Sequence, residues 1–149
     1  MEILKNSCDF EEYVRCFYAF LDAHNLRRSA ERNAILRAVC DFNTHFTVDE
    51  LQNRLQNRKC HVSRSTLYAT LALLIDAGLV CKHRLPLQTT LQYEKFYRED
   101  AHNHICIEGA EKMIEFYEPR IEEIKKEIAE KYNVEILNHL FTIYCKKIN

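Results

Sequence analysis

The chain has 149 residues, of which 47% are hydrophobic and 29% are charged, and it contains only two glycines and two prolines. This composition excludes a disordered or low-complexity chain, and the length allows one domain or two small ones. The net charge of −1 does not by itself indicate a protein that binds nucleic acid.

Seven cysteines are scattered along the chain without any Cys-x-x-Cys pair. This spacing argues against a disulfide framework and against a thiolate zinc knuckle. The apolar runs are too short to cross a bilayer, and the first residues do not have the pattern of a secretory signal. We therefore expect a cytoplasmic protein that makes no membrane contact.

Helical periodicity and capping residues predict four helices in the first half of the chain. Ser29 and Ser63 have the chemistry of N-caps, Thr47 and Glu50 form a capping-box pattern, and Gly78 follows the fourth helix. The predicted helices span about residues 8–24, 29–41, 47–58 and 63–77. Short connections between the last three are typical of a helix-turn-helix core.

Two strands are predicted next, at residues 79–84 and 90–94, around a turn at residues 85–88. The rear of the chain then predicts strands at 104–108 and 112–116, a helix at 119–132 that begins with Pro119, and a strand at 134–144. The predicted fold class is α+β. A winged helix-turn-helix domain occupies residues 1–95, and a small β-β-α-β domain occupies residues 96–149.

The fourth helix has the features of a recognition helix, with short polar side chains and an aromatic residue at its start. Leu67, Leu71 and Leu74 would pack inward. The predicted reading face consists of Ser63, Arg64, Ser65, Thr66, Tyr68 and Thr70. Cations expected to contact DNA phosphates are Arg27, Arg28, Arg32, Lys82 and Arg84. An ordinary amphipathic surface helix is the alternative interpretation of the same pattern.

His102 and His104 are two residues apart at the entry to a predicted strand, so both imidazoles emerge on one face with Cα atoms about 6.6 Å apart. Imidazole nitrogens with added carboxylate oxygens suit Fe(II), Mn(II) or Zn(II). Glu94 and Glu115 are the expected carboxylates, and His45 could join them from the first domain.

Several ordered motifs together resemble the ferric uptake regulator (Fur) family over about residues 26–144. They are Leu-Arg-Arg-Ser-Ala-Glu-Arg at 26–32, His-Phe-Thr-Val-Asp-Glu-Leu at 45–51, Ser-Arg-Ser-Thr-Leu-Tyr at 63–68, His-Asn-His at 102–104 and Ile-Glu-Phe at 114–116. The resemblance implies an interdomain regulatory metal site. Its ligands here would be His45, Glu94, His102, His104 and Glu115.

The sequence departs from the family pattern in three places. A second metal site would retain Glu122 and His139, but Ala101 and Asn103 replace two ligands, so this site is expected to be weakened or absent unless Asp100 substitutes. Ile107 and Ala110 replace a cysteine pair, which predicts that the structural four-cysteine zinc is missing. Ala69 replaces an arginine that usually follows the recognition-helix tyrosine.

The resemblance implies a homodimeric transcription repressor that binds double-stranded DNA and responds to a divalent metal, with Fe(II) expected because no thiolate is in the ligand set. Zinc-, manganese- and peroxide-responsive members are alternatives. No enzyme activity and no small-molecule substrate are expected. Two hypotheses from other classes stay open, namely a small metalloenzyme that activates water at the histidines and a metal-independent protein-interaction module.

Overall fold

The computed structural model describes residues 10–84, 89–96, 103–110, 113–136 and 139–148. The described residues form two compact units, one comprising those up to His83 together with Leu91–Lys95 and the other comprising the remainder. The elements in chain order are α1 (Phe10–Ala23), α2 (Ala30–Cys40), α3 (Val48–Asn57), α4 (Arg64–Asp76), β1 (Val80–Arg84), β2 (Leu91–Lys95), β3 (Asn103–Ile107), β4 (Ile114–Phe116), α5 (Pro119–Tyr132) and β5 (Thr142–Cys145).

The starts of α2, α3 and α4 follow from side-chain capping of backbone N–H groups that have no partner within the helix. Ser29 accepts a hydrogen bond from the amide of Arg32, and Ser63 accepts one from the amide of Thr66. Thr47 and Glu50 form the reciprocal capping box that the sequence predicts. These helix starts are confirmed.

The core of the first unit lies where helices α1 to α4 pack together. Each helix contributes an apolar face at three- and four-residue spacing. Fully buried side chains include Phe17, Leu21, Ile35, Leu36, Leu51, Leu67 and Leu74. Strands β1 and β2 pair with each other beside this core as the two-stranded wing. The unit is therefore a winged helix-turn-helix domain, as predicted.

A single antiparallel bridge ties the loop before α3 to the wing strand β2. Phe46 donates its amide to the carbonyl of Tyr93 at 2.8 Å, and Tyr93 donates back to Phe46 at 2.7 Å. Both side chains are buried and their rings stack with centroids 5.9 Å apart. The bridge fixes the residues on either side of it, which belong to the candidate site.

The second unit contains a three-stranded sheet in the order β4-β3-β5. Strand β3 pairs antiparallel with β4, where His104 is opposite Glu115, and parallel with β5, where His104 is opposite Thr142. Helix α5 begins at Pro119 with Glu118 as its N-cap and has no buried residue. The β-β-α-β order and the α+β class agree with the sequence prediction.

The last strand is shorter than the sequence predicts. We expected a strand over residues 134–144, whereas β5 begins at Thr142. Val134 is exposed, and its amide donates to the carbonyl of Ala129 at the end of α5. Val134 therefore belongs to the turn that ends α5, whereas pairing with β3 is present at Phe141, whose carbonyl accepts the amide of His104. Among the described helices, none is long and apolar enough to span a bilayer.

Candidate metal centre and nucleic-acid interface

The carboxylate of Glu94 is the centre of a cluster of ionisable side chains in the first unit. Its Oε2 atom lies 3.0 Å from Nε2 of His45. This approach follows from the bridge between Phe46 and Tyr93, because His45 precedes Phe46 and Glu94 follows Tyr93, so that antiparallel pairing sets the two side by side. Both side chains are largely shielded from solvent.

His83 contacts the same carboxylate oxygen from strand β1, with its Nε2 atom 3.3 Å away. Its ring meets the ring of His45 edge to face, with centroids 5.3 Å apart. His83 is absent from the ligand set predicted from the sequence, so this residue was missed. A useful signal was the presence of a histidine and a glutamate on the two strands of one predicted hairpin.

The separations of these three ligand atoms fit one divalent ion. At metal–ligand distances of about 2.1 Å, neighbouring ligand atoms are about 3.0 Å apart in octahedral and about 3.4 Å apart in tetrahedral coordination. The two measured separations from Glu94 are 3.0 and 3.3 Å, and the ligand atoms of all three residues lie within 4.8 Å of one another. His45, His83 and Glu94 can therefore bind a metal together.

The other predicted ligands belong to the second unit. His104 is buried on β3, and Glu115, directly opposite on β4, is exposed. Because directly paired residues project from the same face of a sheet, both can supply a donor on that side. His102 lies outside the described residues. The participation of His102, His104 and Glu115 in the metal site stays a prediction.

The residues retained from the second predicted site make other contacts. Nε2 of His139 lies 3.2 Å from the amide oxygen of Asn103, and Lys125 donates to both carboxylate oxygens of Glu122 at 3.1 Å. The pKa of His139 is lowered by burial and by the charge of Lys125, with Glu122 opposing. An ammonium group already compensates Glu122, which supports a weakened site. Asp100 lies outside the described residues.

The first turn of α4 carries most of the predicted reading face. Ser65 and Tyr68 are exposed, and the hydroxyls of Ser63 and Thr66 lie 2.8 Å apart at the helix cap. Arg64 donates to Asp49 at 2.6 Å and to Gln52 at 3.1 Å. Those two acceptors already engage the guanidinium of Arg64 on the exposed face.

The assignment of Thr70 to the reading face was wrong. Its side chain is 1% exposed. Thr70 is three residues after Leu67 and four before Leu74, and residues at these spacings share one helix face, which here is the packed face. A groove of about 430 Å³ beside α4 is lined by Arg27, Arg32, Ser65 and Thr66 among others, and Thr70 also borders it.

The described cysteines are free thiols. Cys106 on β3 is 1% exposed, and burial, with a smaller effect of Cys145, raises the pKa of its thiol. Since the thiolate is the form that binds a metal, a raised pKa disfavours a zinc site at this position. The expected absence of a structural cysteine zinc stays a prediction.

Residues 23–144 match the model of the ferric uptake regulator family. The ferric uptake regulation protein of Rhizobium leguminosarum is 29% identical over 119 residues, covering 80% of this chain and 82% of the relative. That of Vibrio cholerae is 32% identical over 105 residues, covering 68% of this chain and 67% of the relative.

The chain is also similar to solved structures of regulators. The ferric uptake regulator of Vibrio cholerae superposes with a TM-score of 0.57 at 29% identity, covering 85% of this chain and 96% of that one. A zinc-bound manganese uptake regulator gives 0.55 at 26% identity, covering 89% and 99%. The Helicobacter pylori regulator, at 20% identity, shares the fold with a TM-score of 0.70 over 97% of this chain and 95% of that one.

Proposed function

Because the chain belongs to the ferric uptake regulator family, we propose that it is a homodimeric transcription repressor that binds DNA when its His and Glu site holds Fe(II). The family consists of metal-responsive DNA-binding regulators and not of enzymes. The observation that carries the proposal is the convergence of His45 and His83 on one oxygen of Glu94, with separations that match neighbouring ligands of one ion.

The proposed ligand set comprises His45 and Glu94 from the first unit and His102, His104 and Glu115 from the second. His104 is buried and Glu115 is its directly opposite partner, which supports a shared donor face on the sheet. A ligand set from both units makes metal act by population shift. The ion stabilises the DNA-binding arrangement only by the difference between its affinities for that arrangement and for the others.

The choice of Fe(II) rests on ligand chemistry. Imidazole and carboxylate donors without thiolate favour Fe(II) and Mn(II) over ions that prefer sulfur. The names of the relatives point in the same direction, since the curated ones are ferric uptake regulation proteins. A zinc-bound manganese uptake regulator is also similar, so response to Zn(II) or Mn(II) is the alternative within the family.

Dimerisation through the second unit is supported by its exposed apolar side chains. Helix α5 has no buried residue, and Ile124, Ile128 and Tyr132 recur on it at four-residue spacing, so they share one exposed helix face of the kind that marks an interaction site. A second copy of the chain is the expected partner, since closed symmetric dimers are the commonest oligomers. The exposed residues include Ile124, Ile128, Tyr132, Phe141, Ile143 and Tyr144.

DNA binding by α4 is tested with fluorescence anisotropy on a random-sequence duplex in the presence of Mn(II), over a series of salt concentrations. A regulator that neutralises phosphates loses affinity steeply as salt rises. Arg64→Ala should weaken binding, whereas Arg120→Ala, which removes an equally charged side chain on α5, should not. Absence of salt-dependent binding would favour the metal-independent interaction module.

A further inference from the structure

We propose that the first unit holds one divalent metal ion by itself, with His83 as the third ligand beside His45 and Glu94. The metal then loads onto this half-site before the donors of the second unit complete the coordination. This inference rests on the proposed function, because it concerns the regulation of the same site.

The three donors come from three different segments of one unit. His45 lies in the loop before α3, His83 on β1 and Glu94 on β2. The bridge of two main-chain hydrogen bonds between Phe46 and Tyr93 fixes the first and third of these segments, and pairing of β1 with β2 fixes the second. The half-site is therefore built on paired backbone and needs no element of the second unit to form.

His83 is the most shielded member of the cluster. Its side chain is 3% exposed, compared with 11% for Glu94 and 15% for His45. A histidine aimed at a carboxylate from a buried strand position has lost most of its rotamer freedom, so ordering it for a metal costs little.

The donor count changes when His83 is included. The first unit supplies three ligands, and the three predicted from the second unit would bring the total to six. Six nitrogen and oxygen donors suit octahedral ions such as Fe(II) and Mn(II), whereas Zn(II) is satisfied by four. His83 thus contributes to metal selectivity as well as to affinity.

The half-site separates metal binding from metal response. An ion held only by His45, His83 and Glu94 has the same contacts in every arrangement of the chain, so it shifts no equilibrium. Coupling to DNA arises only when donors of the second unit also bind the ion. A variant lacking those donors should bind metal and remain unresponsive.

The direct test uses Co(II), whose absorption spectrum reports ligand identity, on full-length protein. His83→Cys should give a new thiolate-to-cobalt charge-transfer band that is absent from the wild type. His61→Cys, at an exposed position of the same unit, should give none. A Co(II)-loaded His83→Cys protein without the new band would overturn the role of His83 as a ligand.

The loading order is tested in a variant with both His102→Ala and His104→Ala. It should still bind one Co(II) per chain, and adding His83→Leu should lower that affinity by at least about 10-fold. No Co(II) uptake by the double variant would overturn the half-site. Circular dichroism confirms folding of each variant, and His83→Gln replaces His83→Leu if the latter is unfolded.

The outcomes also separate this inference from the proposed function. If His83→Cys gives the charge-transfer band while the DNA affinity of the wild-type protein is the same with and without metal, the half-site stands and the regulator proposal fails. If DNA affinity depends on metal but His83→Cys gives no charge-transfer band, the regulator proposal stands and the half-site fails.

Discussion

The Nε2 atom of His45 lies 3.0 Å from Oε2 of Glu94, although 49 positions separate the two residues in the sequence. The bridge between Phe46 and Tyr93 produces this approach, because each member of the pair is the chain neighbour of a bridged residue. Pairing of the two backbone segments in the first unit thus brings together a carboxylate and an imidazole that can bind a metal.

Replacing Glu94 with Gln should lower the affinity for Mn(II) or Fe(II) by at least about 10-fold, because an uncharged amide oxygen replaces the carboxylate that two histidines approach. Isothermal titration of metal into the variant measures this loss. Glu127→Gln on the exposed side of α5 is the control and should bind metal as the wild type does. Equal affinities for Glu94→Gln and the control would contradict the site.

Replacing Asp49 with Asn should strengthen binding to duplex DNA. The change removes a negative charge beside the recognition helix and weakens the 2.6 Å contact that holds the guanidinium of Arg64, because a neutral amide oxygen is a poorer acceptor than a carboxylate. We expect several-fold tighter binding and a salt dependence steeper by about one ion. Anisotropy titrations measure both, with Asp76→Asn at the far end of α4 as the charge-matched control. Binding that is unchanged relative to the control would contradict a DNA-facing role for Arg64.

Acid stability should depend on Glu118, the N-cap of α5. Hydrogen bonds from the Arg120 side chain and backbone lower the pKa of Glu118 from 4.5 to about 2. The folded state therefore favours the carboxylate, so this contribution to stability is present above pH 4.5 and is lost as the pH falls through about 2. Glu118→Gln should flatten the decline in unfolding free energy across this window, measured by denaturant titration.

The control for this prediction is Glu130→Gln on the same helix, where the backbone carbonyl of Glu130, which the substitution keeps, accepts the amide of the C-cap residue Asn133. This variant should show the same decline in unfolding free energy at acid pH as the wild type. A profile for Glu118→Gln that coincides with that of the control would show that the cap contributes nothing.

Metal analysis should find no tightly held zinc beyond the His and Glu site. This expectation rests on the missing cysteine pairs and on the raised pKa of the buried Cys106 thiol. Chelator treatment should remove all metal while circular dichroism shows retained secondary structure. A second stoichiometric zinc that survives chelation and disappears in Cys106→Ser or Cys145→Ser would contradict this expectation.

The helix starts of the first unit could be predicted from the sequence because they depend on short-range hydrogen bonds. The side chains of Ser29, Thr47 and Ser63 each accept a hydrogen bond from the amide three residues further along. The residues that define each helix start are therefore close together in the chain. The burial of Thr70 was missed because residue type suggested a polar face, although its spacing from Leu67 indicated the core side.

The features that were not predicted correctly from the sequence depend on contacts between distant segments of the chain. The parallel pairing of β5 with β3 joins residues nearly forty positions apart, and no local pattern marks where it begins. His83 was missed for a similar reason. Its role follows from the approach of β1, β2 and the loop before α3, whereas its own sequence neighbourhood shows only a basic strand end.

The most direct measurement is DNA affinity as a function of Fe(II) concentration under anaerobic conditions, for wild type and for the variant with both His102→Ala and His104→Ala. The duplex used is one that the protein itself selects from a pool of random sequences, and the selection is carried out both in the presence and in the absence of metal. We expect apo wild type to bind weakly, Fe(II) to strengthen its binding by at least about 10-fold, and the variant to show no response. Equal affinity of wild-type protein with and without Fe(II) would contradict the account.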